Sequence, residues 1–270
     1  NVRSGGKDQG LIYWDRIPVY QPAHYFGTIT SFIPNAVKEI TAYKNYIPTN
    51  FTGATSGLLD IKAFDSVPAK PEVISTTTFT HSDLLLRSNL GKKMSVMLGG
   101  RASYNHLIET PAFQAYNNKL FDGSQDLDFL DEEEEGSSND PPLDINSSLK
   151  FWDINAKVTL DLTKNDYFSF SLINSQDVLD YDGLETRDSS EIDQDHKVDF
   201  IGWNAFYSRK WGENWKTEVS LSDSRYGLKN DYAFKYIDDE DTIHDQFTLE
   251  NKLYNWEFKA RQIYTGIKNA

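Results

Sequence analysis

Apolar and polar residues alternate strictly from Trp152 to Thr163. Trp152, Ile154, Ala156, Val158, Leu160 and Leu162 are interleaved with Asp153, Asn155, Lys157, Thr159, Asp161 and Thr163. A period of two sends successive side chains to opposite faces of an extended strand. The run exceeds the usual ~5–6 residues of a globular strand and matches the roughly 9–11 that a tilted strand needs to cross a bilayer. The same texture predicts strands at 73–79, 84–90, 94–104, 149–163, 167–173, 198–209, 216–226 and 243–256, and the start of a ninth at 257–264.

Short turns at Gly91-Lys92-Lys93, Lys164-Asn165-Asp166 and Trp211-Gly212-Glu213-Asn214 alternate with longer acidic excursions. These follow residue 104, run across 177–196, and centre on 238–241. Brief turns at one end and long loops at the other are the pattern of outer-membrane barrels. On that reading lipid meets Val96, Leu98, Ala102, Trp152, Val158, Leu160, Phe168, Phe170, Leu172, Ile201, Trp203, Tyr207, Val219 and Leu221. The lumen sees Arg101, Lys157, Asp161, Ser169, Asn204, Glu218 and Glu250, while Trp211 and Trp215 suit an aromatic girdle beside a short turn. A half-buried soluble sheet would carry the same alternation.

Residues 1–66 differ. Short apolar runs at 11–14, 17–20, 40–43 and 58–61 are broken by Gly, Pro and Asn, and read as a compact α/β piece with a short helix around 26–32. Val67-Pro68-Ala69-Lys70-Pro71 is a natural joint to residues 67–270.

Bulk properties narrow the function. A net charge of -14 argues against nucleic acid, since little here would neutralise phosphates. Without cysteine there are neither disulfides nor thiolate-held metals. No apolar run approaches the ~18 residues of a transmembrane helix, but a barrel needs only every second residue to be apolar. Asn1 opens abruptly in polar sequence, so either a leader has been removed or the chain is a piece of something longer.

Several stretches carry a family resemblance. Asn1 to Gln9, Leu11 to Tyr20, Pro22-Ala23-His24-Tyr25-Phe26-Gly27, Pro34-Asn35-Ala36-Val37-Lys38 and Ala42-Tyr43-Lys44 resemble the later half of a TonB-dependent receptor plug. Ile47-Pro48, Phe51-Thr52-Gly53 and Leu58-Leu59-Asp60-Ile61 look like the plug's exit into its barrel. The type resembled is that of Bacteroidetes receptors with an N-terminal carboxypeptidase-like domain. The resemblance implies a mainly β fold: the C-terminal half of an α/β plug domain (1–66), then about eight or nine transmembrane antiparallel strands (67–270) of a barrel of about 22. It implies a bacterial outer-membrane location with extracellular long loops, and contact with outer-membrane lipid and lipopolysaccharide. Its partners would be a TonB-type energising complex reached through a missing N-terminal segment, and a surface lipoprotein or other outer-membrane subunits. If these residues are the entire product, a partner completes the barrel. The chain departs from the family pattern at Asp15-Arg16, where Asp-Gly is usual, and at Thr41, Asn45-Tyr46 and Phe51-Thr52-Gly53-Ala54. A type I′ turn wants positive φ at both central residues, so Arg16 costs stability or implies another turn.

No catalytic motif appears, and no enzyme activity, cofactor or metal site is expected. The five histidines (His24, His81, His106, His196, His244) are scattered, and only His24, in His24-Tyr25-Phe26, reads as ligand-facing by the resemblance. The expected ligand surface is Tyr20, His24, Tyr25, Phe26, Asn45 and Tyr46 of the plug, with the loop bases Asn105, His106, Tyr181 and Tyr232. Plug-core packing is the alternative for His24. Arg101 could meet an anionic ligand, but structural pairing with a plug carboxylate is the expected role. Carboxylates at 131–135 offer hard oxygen ligands for calcium, but their spacing does not match an EF-hand and a solvated loop fits them. The leading function is active import of an extracellular ligand. A transport-inactive scaffold subunit of a secretion or assembly complex is the alternative, and a soluble carbohydrate-binding β protein a third.

Overall fold

The computed structural model describes residues 10–24, 27–44, 46–51, 57–65, 70–104, 110–111, 144–185, 190–238 and 241–266. Two units are present. The N-terminal unit contains β1 (Gly10–Trp14), β2 (Ile17–Pro18), β3 (Ala23–His24), β4 (Ile29–Thr30), β5 (Val37–Tyr43) and β6 (Gly57–Ala63). Four of these form a sheet in the order β2-β1-β6-β5, with β1 and β6 parallel, and β3 pairs with β4. The second unit is an eight-stranded antiparallel meander of β7 (Glu72–Thr77), β8 (His81–Asn89), β9 (Met94–Ser103), β10 (Asp144–Asp161), β11 (Asp166–Glu185), β12 (Ser190–Lys210), β13 (Trp215–Asp238) and β14 (Asp241–Tyr264). It is the wall of a partial β-barrel.

The wall follows the predicted strand order but corrects the strand lengths. β11 to β14 run 20, 21, 24 and 24 residues, so β13 alone spans roughly 80 Å at about 3.3 Å per residue. The acidic excursion expected at 177–196 is largely ladder, with Asp177 opposite Val198 and Glu185 opposite Ser190. That around 238–241 shrinks to a tight connection, with Asp238 opposite Asp241. Lys150–Asp180, Lys197–Asp199 and Lys229–Asp231 ion pairs lie along these extensions. The residues 257–264 continue β14 and start no ninth strand.

In the N-terminal unit the helix expected around 26–32 does not extend through its described residues: Gly27 is 3-10, Ile29–Thr30 is a strand, and a 3-10 turn follows at Pro34–Ala36. Thr28, Ile29 and Thr30 are β-branched, which favours extended backbone. The Asp15-Arg16 turn keeps positive φ at both positions, 45° and 70°. Its strain is offset by anchoring. The Arg16 guanidinium lies 3.6 Å from the Phe206 ring centroid, and Asp15 accepts from the Ala63 amide.

The core lies where the units meet. Trp14, Ile17, Phe32, Ile33 and Ile61 pack with Leu85, Met97, Ile173 and Phe200 from four wall strands. Trp14 stacks on Phe32 at 5.5 Å. Gly202 and Gly99 lie where the N-terminal unit touches the wall: a β-carbon on Gly202 would collide with Ile17, and one on Gly99 would crowd Ile33.

Candidate functional site

The wall has two chemically distinct faces, set by register. On the outer face, turned from the N-terminal unit, paired rows run Leu160–Phe168–Tyr207–Val219–Ala260 and Val158–Phe170–Ala205–Leu221–Phe258. The next row is Ala156–Leu172–Trp203–Asp223–Trp256. Phe170, Leu221, Trp256 and Phe258 are exposed. Below them, near the short turn, Trp211, Trp215 and Tyr264 are exposed too, and Trp215 packs on Tyr264 at 4.8 Å. Asp223 interrupts the band, is buried and pairs with Arg225 at 2.8 Å. Glu250 belongs to this outer face, not to the inner one expected for it: it lies opposite Lys229 and pairs with Lys252.

The inner face is polar or small in its lower half. One row reads Lys157–Ser171–Asn204–Ser222–Glu257. Arg101 and Lys157 point inward and are buried, and Glu218 binds Arg261 in the same half. Asp161 shares the inward parity of Lys157 and Thr159 but is exposed at the strand end.

Two buried polar clusters fasten the N-terminal unit to this face. In the lower one Lys157 Nζ donates to Asp15 Oδ1 at 2.9 Å and Ser171 Oγ to Asp15 Oδ2 at 3.1 Å. In the upper one His24, fully buried, faces Asp153 through Nε2 at 3.0 Å and Asp177 through Nδ1. Arg101 completes it, binding Asp153 at 2.7 Å and the Thr30 carbonyl. Burial alone would lower the His24 pKa, but hydrogen bonds and charges from Asp153 and Asp177 outweigh it, and the net shift is upward. An imidazolium donating from both nitrogens also balances the cluster: two carboxylates against Arg101 and His24. Further ties reach Thr76 and Asp83 (from Asn35), Asn155 (to the Ile33 amide), Ser224 (to the Pro18 carbonyl) and Asn255 (to Tyr20). With Phe206 under Arg16, every wall strand from β7 to β14 touches the N-terminal unit.

Above the His24 cluster, toward the end opposite the short turns, a cavity of about 320 Å³ opens between the 20–23 segment and β10–β13. Its surface is mainly Leu149, Leu179, Val198, Tyr226 and Leu228, with Tyr20 entering from the N-terminal unit. Burial holds the Tyr20 phenol above its ordinary pKa. A second cavity, about 560 Å³, lies below among charges of both signs, including Asp15, Lys157, Glu218 and Arg261. Among the described residues no group of three His, Cys, Asp or Glu is placed to hold a metal.

The expected ligand residues that are described do not gather in one place. Tyr20 lines the upper cavity. His24 lies enclosed beneath it, so no ligand stacks on it in this conformation. Tyr232 stacks on Phe247 at 4.5 Å, higher on the inner face, and Tyr46 is exposed away from the cavity. Tyr181 pairs by its backbone with Gln194 in β12. Tyr25, Phe26, Asn45, Asn105 and His106, and the carboxylates at 131–135, lie outside the described residues. Sequence reasoning missed Asp153 and Asp177 as the His24 partners. The available signal was their parity, shared with Lys157 in β10 and Ser171 in β11.

No protein-family model and no curated protein matches the chain. Among solved structures it is similar to a point mutant of the ferric enterobactin receptor of Pseudomonas aeruginosa, at 10% identity and a TM-score of 0.42 over 97% of this chain and 53% of that one. It is also similar to the siderophore receptor PirA of Acinetobacter baumannii, at 10% identity and a TM-score of 0.41 over 97% of this chain and 52% of that one. PirA of Pseudomonas aeruginosa gives 10% identity and a TM-score of 0.39 over 98% of this chain and 55% of that one. The chain spans about half the length of these structures.

Proposed function

We propose that this chain is the plug-exit and first-barrel-wall portion of a TonB-dependent outer-membrane receptor that binds an extracellular ligand and imports it actively. The observation that carries the reading is the two-faced wall. Its outer face presents apolar rows, broken at Asp223, with aromatic residues toward the short turns, and its inner face, mostly polar in its lower half, is bound to a separate folded unit through ion pairs and an apolar core. A soluble sheet would bury its apolar rows; here the inner face is the covered one, and Phe170, Leu221, Trp256 and Phe258 of the outer rows are exposed. In an outer membrane the same division puts hydrocarbon outside and the plug inside. Lipid and lipopolysaccharide cover the rows, and the long hairpins stand on the extracellular side. The upper cavity is then the ligand's first stop, and release of the two polar clusters frees the plug. An energising complex acts through sequence ahead of this portion, and a surface lipoprotein would cap the hairpins. The protein performs no covalent chemistry.

The test is uptake by cells carrying the whole receptor, with and without the proton gradient and the energising complex. Uptake that survives loss of both sinks the import reading. The departures at Asn45-Tyr46 and Phe51-Thr52-Gly53-Ala54 favour a second reading, a transport-inactive scaffold of an outer-membrane secretion or assembly complex. Stoichiometric, detergent-stable copurification with envelope proteins, independent of ligand and energy, would select it.

A further inference from the structure

Gln21 stands in the segment that floors the upper cavity, and its side chain is 4% exposed. Neither its amide nitrogen nor its amide oxygen has a hydrogen-bond partner. Its backbone is not free to turn the group away, because Ser31 Oγ donates to the Gln21 carbonyl at 2.7 Å and the Ser31 amide to the Pro22 carbonyl at 2.9 Å. A buried donor and acceptor without partners are costly, so such a group calls for a complement from outside the chain. The rest of the lining sets the complement's character. Leu179, Val198, Tyr226 and Leu228 supply an apolar and aromatic wall, and Asp177 on the rim is engaged by His24. No Lys or Arg lines the cavity among the described residues, and the histidine that does, His196, is hydrogen-bonded to Asn230, so an anionic ligand finds no fixed counter-charge there. The volume, about 320 Å³, is at the low end of small-molecule sites, roughly 300–1,000 Å³.

We infer that this cavity takes an uncharged ligand with an apolar or aromatic body and a carboxamide, whose N–H and C=O pair with the Gln21 side chain. The inference rests on the receptor reading and gives that reading a ligand class: capped or cyclic peptide-like molecules, not phosphates, acidic chelates or oligosaccharides. Gln21 orients the ligand, and the apolar wall holds its body.

The experiment uses the full-length receptor in detergent, without an energy source, and ligand-detected NMR with two probes: 3-phenylpropanamide and methyl 3-phenylpropanoate, which keeps the carbonyl and the ring but has no N–H. The amide should bind about three- to tenfold more tightly than the ester, as expected for a neutral hydrogen-bonded pair. Gln21→Met should erase that preference while leaving ester binding in place, and Val198→Trp should remove both by filling the cavity. Equal binding of the two probes by the unaltered receptor overturns the inference without any variant, as does a preference that persists in Gln21→Met. Discrimination without energised uptake would keep the pocket and sink the import reading. Energised uptake without discrimination would do the reverse.

Discussion

His24 and Asp153, separated by 129 positions in sequence, meet at 3.0 Å with both side chains fully buried. The contact joins the N-terminal unit to the middle of the wall, and its protonation state decides how firmly it holds. Burial opposes the imidazolium, the hydrogen bonds and charges of Asp153 and Asp177 favour it, and the balance raises the His24 pKa. A raised folded-state value means that the stabilisation is fully present below the ordinary histidine range and is lost as pH climbs through the raised value. Protection from hydrogen exchange at 29–33, corrected for the intrinsic rate, should therefore fall as pH rises above the ordinary histidine range, and His24→Gln should flatten that dependence. His244→Gln, at an exposed position of β14, is the control and should leave it intact. A profile unchanged in His24→Gln would remove His24 as the titrating group.

The lower cluster makes a different prediction, one of pairing and not of pH. Asp15 and Lys157 are both buried, so removing either leaves the other uncompensated. Asp15→Ala and Lys157→Met should each weaken docking of the N-terminal unit by about 3–5 kcal/mol. The double variant should cost clearly less than the sum, since no charge is left stranded. Denaturant titration of the assembled receptor, read by Trp14 fluorescence, measures all three. Additive losses would mean that the pair is not coupled.

Gly202 tests the close approach of the two units. A β-carbon there meets Ile17, so Gly202→Val should push the 15–19 hairpin off the wall and cost about 1–3 kcal/mol through overpacking. Ile17→Ala in the same chain should recover part of that loss by making room. No recovery would place the damage in the strand itself, not in the contact.

The wall was legible where only one face is apolar. Between the short turns and Trp152, alternation assigns Val158, Phe170 and Leu221 to one face and Lys157, Ser169 and Asn204 to the other, as the ladders do. Higher up the pattern inverts: Lys229, Asp231, Glu250 and Lys252 make the outer face polar, while Leu228, Tyr232, Phe247 and Leu249 share the inner one; Lys197 with Asp199 and Lys229 with Asp231 look like loop residues until the register pairs them. Glu250 was misassigned for that reason. Asp15-Arg16 was legible as a difficult turn but not as an anchored one, since Phe206 and Lys157 lie far away in sequence. Nothing local marks Gln21. Its meaning comes only from the wall folded over it.

Phe170 and Ser171 are adjacent in β11 and separate the membrane and soluble readings. Phe170 is exposed on the outer face, stacked on Trp203 at 6.1 Å, while Ser171 is buried on the inner face against Asp15. If water bathes the outer face, Phe170→Lys is neutral or improves solubility, since lone surface substitutions stay within about 0.5 kcal/mol. If hydrocarbon bathes it, the ammonium sits within the apolar rows and costs about 2–4 kcal/mol near the midplane. The expectation is a receptor that inserts poorly: less heat-modifiable barrel in outer-membrane fractions, with Ser171→Ala inserting normally despite its loosened Asp15. Normal insertion of Phe170→Lys would move the outer face into water and take the import reading with it.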